Sequence, residues 1–204
     1  TSTYSYAAGS HRLTSVNGEA LSYDAMGNLI ARGPASVPSG ARQTYQYDEN
    51  GRPRYVFEQT STRALYLYNP LGQRVFRRAY DGLWRSAYDL EGNWIGDYDM
   101  GGVPRQQVIW FAGMPVGVID RRRQGAAQEG ARLFYVEADA LGTPRAVIDP
   151  IVANHPWGKA VWRWELTGEA FGRDRPIDDP DNDGKRFTFD LRFPGQRYDD
   201  VTGL

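Results

Sequence analysis

The residues best placed to do chemistry are the aspartates of Asp179-Pro180-Asp181-Asn182-Asp183-Gly184. Carboxylates at alternate positions, closed by a turn-making Gly, match the start of a calcium loop. Asp190 falls at the twelfth position, where such a loop places its last ligand. Hard carboxylate oxygens suit Ca2+, so calcium is the one cofactor the pattern admits, held by Asp179, Asp181, Asp183 and Asp190. Asp stands where a bidentate Glu is usual, and no helical pattern flanks the loop. A solvated acidic loop accounts for the same residues.

Other chemistries find little support. His11 and His155 are the only histidines, far apart and outside any ligand spacing, and there is no Cys. This excludes thiolate sites and disulfides and disfavours a Ser-His-Asp arrangement. Adjacent acids such as Asp178/Asp179 and Asp199/Asp200 do not supply the separation that a glycosidase pair needs across a cleft. Phosphate-cradling Gly-rich motifs are absent. The net charge of −1 lacks the basic footprint of a nucleic-acid binder, and the positive charge is nearly all Arg, with Lys only at 159 and 185. No apolar run reaches the length of a membrane span, and the sequence does not open with a signal peptide.

A third group of candidates recurs along the chain: an aromatic residue, Asp or Asn, two residues, then Gly. It reads Tyr23-Asp24-Ala25-Met26-Gly27, Tyr47-Asp48-Glu49-Asn50-Gly51, Tyr68-Asn69-Pro70-Leu71-Gly72, Tyr88-Asp89-Leu90-Glu91-Gly92 and Tyr98-Asp99-Met100-Gly101-Gly102. Degenerate copies are Asp139-Ala140-Leu141-Gly142 and Trp164-Glu165-Leu166-Thr167-Gly168, and Tyr198-Asp199-Asp200-Val201-Thr202-Gly203 is one residue longer. Aromatic and carboxylate groups together suit sugars, so a glycan lattice is one reading. Turn formation is the other. Asp accepts hydrogen bonds from nearby backbone N–H groups, and Gly takes positive φ at little steric cost. Together they make a type I turn closed by a left-handed Gly, and the preceding Tyr packs across the hairpin. This second reading explains both residue types with no ligand.

The elements that position these residues are strands. The first four motif tyrosines lie 24, 21 and 20 residues apart, the length of two short strands with their turns. The flanks 64–68, 73–79, 108–111, 116–119, 133–136 and 145–148 read as strands, and no segment reads as an amphipathic helix. Residues 33–40, 121–130 and 176–184 read as loops, with Arg121-Arg122-Arg123 at a hairpin tip. An aromatic share of 13% fits pleated, half-buried surfaces. The fold class expected is therefore all-β: consecutive antiparallel hairpins forming a curved sheet. One array over 1–204 is expected, divided into 1–105 and 106–204, as a fragment of a larger protein. Its open edges should favour association.

The chain resembles the YD-repeat or RHS-repeat family. The early copies, LSYDAMGNLIARG and YQYDENGRPRYVFE, match the YD repeat, and the second half matches the RHS-associated core. Tyr135 to Arg145 resembles the core's Y-x-x-x-D-x-L-G-T-P-R signature. Glu165 to Gly172 resembles its Y-D-A-F-G element. Leu191 to Asp199 with Thr202-Gly203-Leu204 resembles L-R-F-x-G-Q-x-x-D-x-x-T-G-L. The resemblance implies a β-cocoon wall, as in Tc-toxin C proteins, that encloses a C-terminal toxin domain of the same polypeptide. A secretion-system spike protein or a chaperone is the further partner implied, with delivery from a bacterium, type VI secretion among the routes. The family's self-cleaving aspartates lie beyond the T-G-L element, past Leu204, so no catalytic residue is carried over. A glycan- or protein-binding module is the alternative, and a self-cleaving core with its catalytic elements outside this sequence the second.

Overall fold

The computed structural model describes residues 3–38, 42–121, 130–152, 154–165 and 174–203. Residues 122–129 of the Arg-rich loop, with Arg122 and Arg123, the element at 166–172 and Leu204 lie outside the described residues. The described part is all-β, with fifteen strands and no helix; none of its elements is a helix long and apolar enough to cross a membrane. Two compact units are present, Thr1–Leu83 and Trp84–Leu204.

The first unit holds β1 (Tyr4–Tyr6), β2 (Leu13–Val16), β3 (Glu19–Tyr23), β4 (Leu29–Pro34), β5 (Gln43–Tyr47), β6 (Pro53–Glu58), β7 (Ser61–Tyr68) and β8 (Arg74–Ala79). Each pairs antiparallel with its neighbour in sequence. Its buried apolar set is small: Ala31, Tyr45, Val56, Ala64 and Tyr66. Arg77 is buried among them and ion-paired to Asp81 at 2.6 Å.

The second unit contains most of β9 (Gly82–Tyr88), then β10 (Trp94–Tyr98), β11 (Pro104–Phe111), β12 (Met114–Asp120), β13 (Arg132–Ala138), β14 (Pro144–Asp149) and β15 (Lys159–Arg163). These too pair antiparallel in chain order. Val108, Val118, Phe134, Val136, Val147 and Trp162 are buried on one face. Alternate residues such as Ile109, Leu133 and Tyr135 are exposed, the period-2 division of a sheet covered on one side.

The cover is a strap, residues 174–203, that is not a further hairpin. It touches strand β15 through an isolated bridge between Arg163 and Ile177 and folds on itself at Leu191 and Arg197. Prolines at 176, 180 and 194 remove ladder donors and disfavour a regular strand here. The strap instead inserts Phe187, Phe189 and Leu191 into the sheet's buried face. Phe187 packs on Phe134 with ring centroids 4.9 Å apart, and Phe189 meets Trp162 edge-on at 5.7 Å.

Candidate functional site

The repeat turns share one geometry. In five of them the aspartate or asparagine backbone N–H donates to the carbonyl four residues on: Asp24 to Asn28, Asp48 to Arg52, Asn69 to Gln73, Asp89 to Asn93 and Asp99 to Val103. Asp139 does the same to Thr143. The turn Gly returns a bond to the Asx carbonyl each time, for example Gly27 N–H to Asp24 at 3.2 Å and Gly142 N–H to Asp139 at 2.9 Å. The Asx side chain closes the loop from outside, as Asp24 Oδ1 accepts from the N–H groups of Met26 and Asn28. Gly27, Gly51, Gly72, Gly92, Gly102 and Gly142 all have positive φ, which an L side chain tolerates poorly.

This turn fixes the register. Tyr23 opposes Leu29, Tyr47 opposes Pro53, Tyr68 opposes Arg74, Tyr88 opposes Trp94, Tyr98 opposes Pro104 and Ala138 opposes Pro144. The same six-residue offset recurs, with a bulge-type shift beside it, so one extra residue is absorbed per turn. Four of the turn carboxylates are shifted toward the ionised form. Bonds chiefly from the Asn28 side chain, the Arg52 backbone and the Asn93 side chain draw Asp24, Asp48 and Asp89 below the ordinary range. For Asp139, burial acts to raise it, but bonds from Thr143, Leu141 and Arg145 prevail and it too lies low.

Two of the motif tyrosines, Tyr47 and Tyr68, tie one hairpin to the previous one. Tyr47 Oη–H donates to the Leu29 carbonyl at 2.7 Å, and Tyr68 Oη–H donates to the Pro53 carbonyl at 2.8 Å. Arg52 lies over the Tyr68 ring at 5.0 Å and donates to the Asn69 carbonyl at 3.2 Å. Trp110 Nε1–H does the equivalent work in the second unit, donating to the Trp94 carbonyl at 3.0 Å. Tyr and Asp are thus engaged in turn and ladder. Changing Tyr47 or Tyr68 to Phe is expected to lower stability by about 0.5–1.5 kcal/mol each, the net worth of one hydrogen bond. Urea denaturation of the single variants checks this, and a change below about 0.3 kcal/mol in both would leave these bonds without structural weight.

The strap is fastened by two arginines that sequence reading alone did not single out. Arg197 pairs with Asp97 at 2.7 Å, donates to Ser86 Oγ at 3.1 Å, and lies 3.8 Å from the Trp94 ring centroid. Asp97 also accepts from Ser86 Oγ and from Trp94 Nε1 at 2.7 and 3.0 Å. Burial acts to raise the Asp97 carboxyl, but the Arg197 charge and these bonds hold it below its ordinary value. Arg192 is enclosed by Trp162, Trp164 and Tyr198, with ring centroids 4.9–5.5 Å away. It donates to the carbonyls of Phe189 and Leu191, and burial lowers its affinity for its proton. A further bond runs from Gln106 Nε2 on β11 to the Thr188 carbonyl of the strap at 3.2 Å.

The acidic loop brings three of its four candidate ligands together. Oxygens of Asp179, Asp181 and Asp183 lie within 4.8 Å of one another. Asp190 is not in this group; its carboxylate lies 4.0 Å from Arg197. The spacing of a calcium loop presumes a loop that carries its twelfth residue back to the ion. Here Phe187 and Phe189 are pinned in the core, which fixes Asp190 on the strap instead. Asp179 already accepts from the N–H groups of Asp183 and Gly184 at 3.1 Å. Burial, and then the charges of Asp183 and Asp179, raise the Asp181 carboxyl. A raised carboxyl disfavours the folded loop above its folded titration point, and the penalty fades below its unfolded one. Asp181→Asn is therefore expected to be neutral or slightly stabilising at pH 7 and without benefit at pH 3, measured as thermal midpoints at both pH values.

No family profile matches the chain. Curated relatives do. It is 25% identical over 218 residues to double-stranded DNA deaminase toxin A of Burkholderia cenocepacia, covering 89% of this chain and 13% of that protein. It is 26% identical over 187 residues to the probable deoxyribonuclease RhsB of Dickeya dadantii, covering 89% of this chain and 12% of that one. The chain thus spans about an eighth of the length of these relatives. Among solved structures, the Tc holotoxin pore of Photorhabdus luminescens aligns with 90% of this chain and 11% of its own, at 13% identity and a TM-score of 0.47. A crystal structure of TcdB2-TccC3 without its hypervariable C-terminal region aligns with 100% of this chain and 11% of its own, at 14% identity and a TM-score of 0.49. Aligned along 89% of its length with a DNA deaminase toxin and with the probable deoxyribonuclease RhsB, and folded as consecutive antiparallel hairpins, the chain is related to these RHS-type proteins.

Proposed function

We propose that the chain is a wall segment of an RHS shell that encloses a toxin domain of its own polypeptide until delivery from a bacterium. The observation that supports this reading best is the engagement of the repeat residues in building the wall. The Asx and Gly residues close turns, and Tyr47, Tyr68 and Trp110 each bond their own hairpin to the one before it. A lattice whose repeat residues spend their polar groups on turns and on neighbouring hairpins is suited to a container. The enzymatic activity of the parent then resides in the enclosed domain and not in these hairpins. A secretion-system spike protein, a chaperone and use in competition between bacteria belong to the same proposal.

Purifying the full-length parent under native and denaturing conditions, with intact-mass analysis, tests it. Two pieces that co-purify natively and part only on denaturation are the expected result, together with protease resistance of the smaller piece until the larger one is unfolded. A smaller piece digested at the same rate with and without the larger one would overturn enclosure.

A further inference from the structure

The turns that join β9 to β10, β11 to β12 and β13 to β14 lie at one end of the second unit, because each is entered by an ascending strand of the same antiparallel series. Their tips carry large apolar residues that are exposed among the described residues. Leu90 is 103% exposed, Phe111 74% and Leu141 78%. Turn geometry requires none of them: Asp89 with Gly92 and Asp139 with Gly142 close two of the turns, and Ala112 and Gly113, both at positive φ, make the third. Adjacent tips are close: a Cβ placed on Gly142 would stand 3.6 Å from Met114 Sδ and 3.8 Å from the Gly113 carbonyl. Strands lie about 4.8 Å apart, so tips two strands apart recur about every 9.6 Å. Seven residues of α-helix rise about 10.5 Å. A helix with apolar residues seven apart matches this rim, one residue per tip.

Charge selects the helix. Asp89, Glu91 and Asp139 lie at the same turns, against Arg145, which is bound to Asp139 at 2.7 Å. Asp89 is satisfied by neutral Asn93. Three carboxylates against one guanidinium leave the described rim net negative. This disfavours an anionic lipid surface and favours a cationic protein segment.

We propose that this rim docks a basic amphipathic α-helix, with Leu90, Phe111 and Leu141 seating on its apolar stripe and Glu91 and Asp89 facing its lysines or arginines. The inference does not depend on the enclosure of a toxin. The test uses this chain and a labelled helical peptide of about three heptads with Leu on the stripe and Lys elsewhere, read by fluorescence anisotropy. A second peptide has Glu in place of each Lys. Binding of the Lys peptide, no binding of the Glu peptide, and weakening of at least about tenfold in the L90S/F111S/L141S variant are expected. Glu91→Lys should weaken binding further from the charge side. Circular dichroism of the triple variant establishes that it remains folded. Equal binding of both peptides, or binding unchanged in the triple variant, would overturn the proposal. So would capture by phosphatidylcholine/phosphatidylglycerol vesicles, or self-association of the chain, that is lost in the triple variant while the Lys peptide does not bind.

Discussion

Asp97→Ala is expected to destabilise the second unit by about 3–5 kcal/mol, the usual range for removing one partner of a buried ion pair. Both side chains are nearly inaccessible, at 11% for Arg197 and 9% for Asp97. The loss is large because the guanidinium would remain buried, over Trp94, with only Asp190 at 4.0 Å among the described residues to answer its charge. Truncation also strips the acceptor from Ser86 and from Trp94 Nε1. The measurement is denaturant unfolding combined with hydrogen exchange at 187–199, where exchange should accelerate because the strap loses its anchor. The double variant D97L/R197M should recover much of the loss, since apolar replacement of a whole buried pair is often neutral. A cost under about 1 kcal/mol for Asp97→Ala would mean the pair is solvent-screened and the strap is not held by it.

The pH dependence follows from the direction of the shift. The Asp97 carboxyl lies below its ordinary value of 3.8 in the folded protein, so the unfolded chain takes up a proton first as pH falls. Its stabilisation is complete above the ordinary value and drains away as pH drops through the folded one. The gap in stability between the parent chain and Asp97→Ala should be constant from pH 8 to about pH 5 and narrow below about pH 4. Asp24, Asp48, Asp89 and Asp139 are lowered as well, so acid should weaken turns and strap over the same window.

What could be read from the sequence is what is local. Tyr-Asx-x-x-Gly states its own geometry, because donor, acceptor and positive-φ residue all lie within five positions. The six-residue register between Tyr23 and Leu29, or Tyr68 and Arg74, follows from that turn. The strap was not legible in this way. Asp97 and Arg197 are a hundred residues apart, and no local spacing announces that they meet. Phe187, Phe189 and Leu191 alternate as a strand would, yet their backbone joins no ladder among the described residues beyond the Leu191–Arg197 bridge. The alternation there serves insertion into a sheet face rather than membership of the sheet. The acidic loop shows the converse. Its spacing suggested four ligands, but tertiary anchoring on either side of Asp190 assigned that residue to Arg197.

Phe189→Ala tests the strap from its apolar side. Phe189 is fully buried and meets Trp162 edge-on, and it sits between Phe187 and Leu191 in the same cluster. Removing a fully buried Phe costs about 3–5 kcal/mol, part transfer and part cavity. The site is poorly able to collapse, because Trp162 is held by Val147 across the β14–β15 ladder and overlain by Arg192. Phe189→Leu should recover roughly half of the loss, since it keeps much of the volume but not the edge-to-face contact. Unfolding midpoints and near-ultraviolet circular dichroism, which reports the environment of Trp162, are the readouts. A loss near that of Asp97→Ala, combined with a double variant costing less than the sum, would establish that the ion pair and the aromatic insertion fasten one cooperative element. Full additivity would instead mean that the strap detaches piecemeal, with the Arg197 end and the Phe189 end held independently.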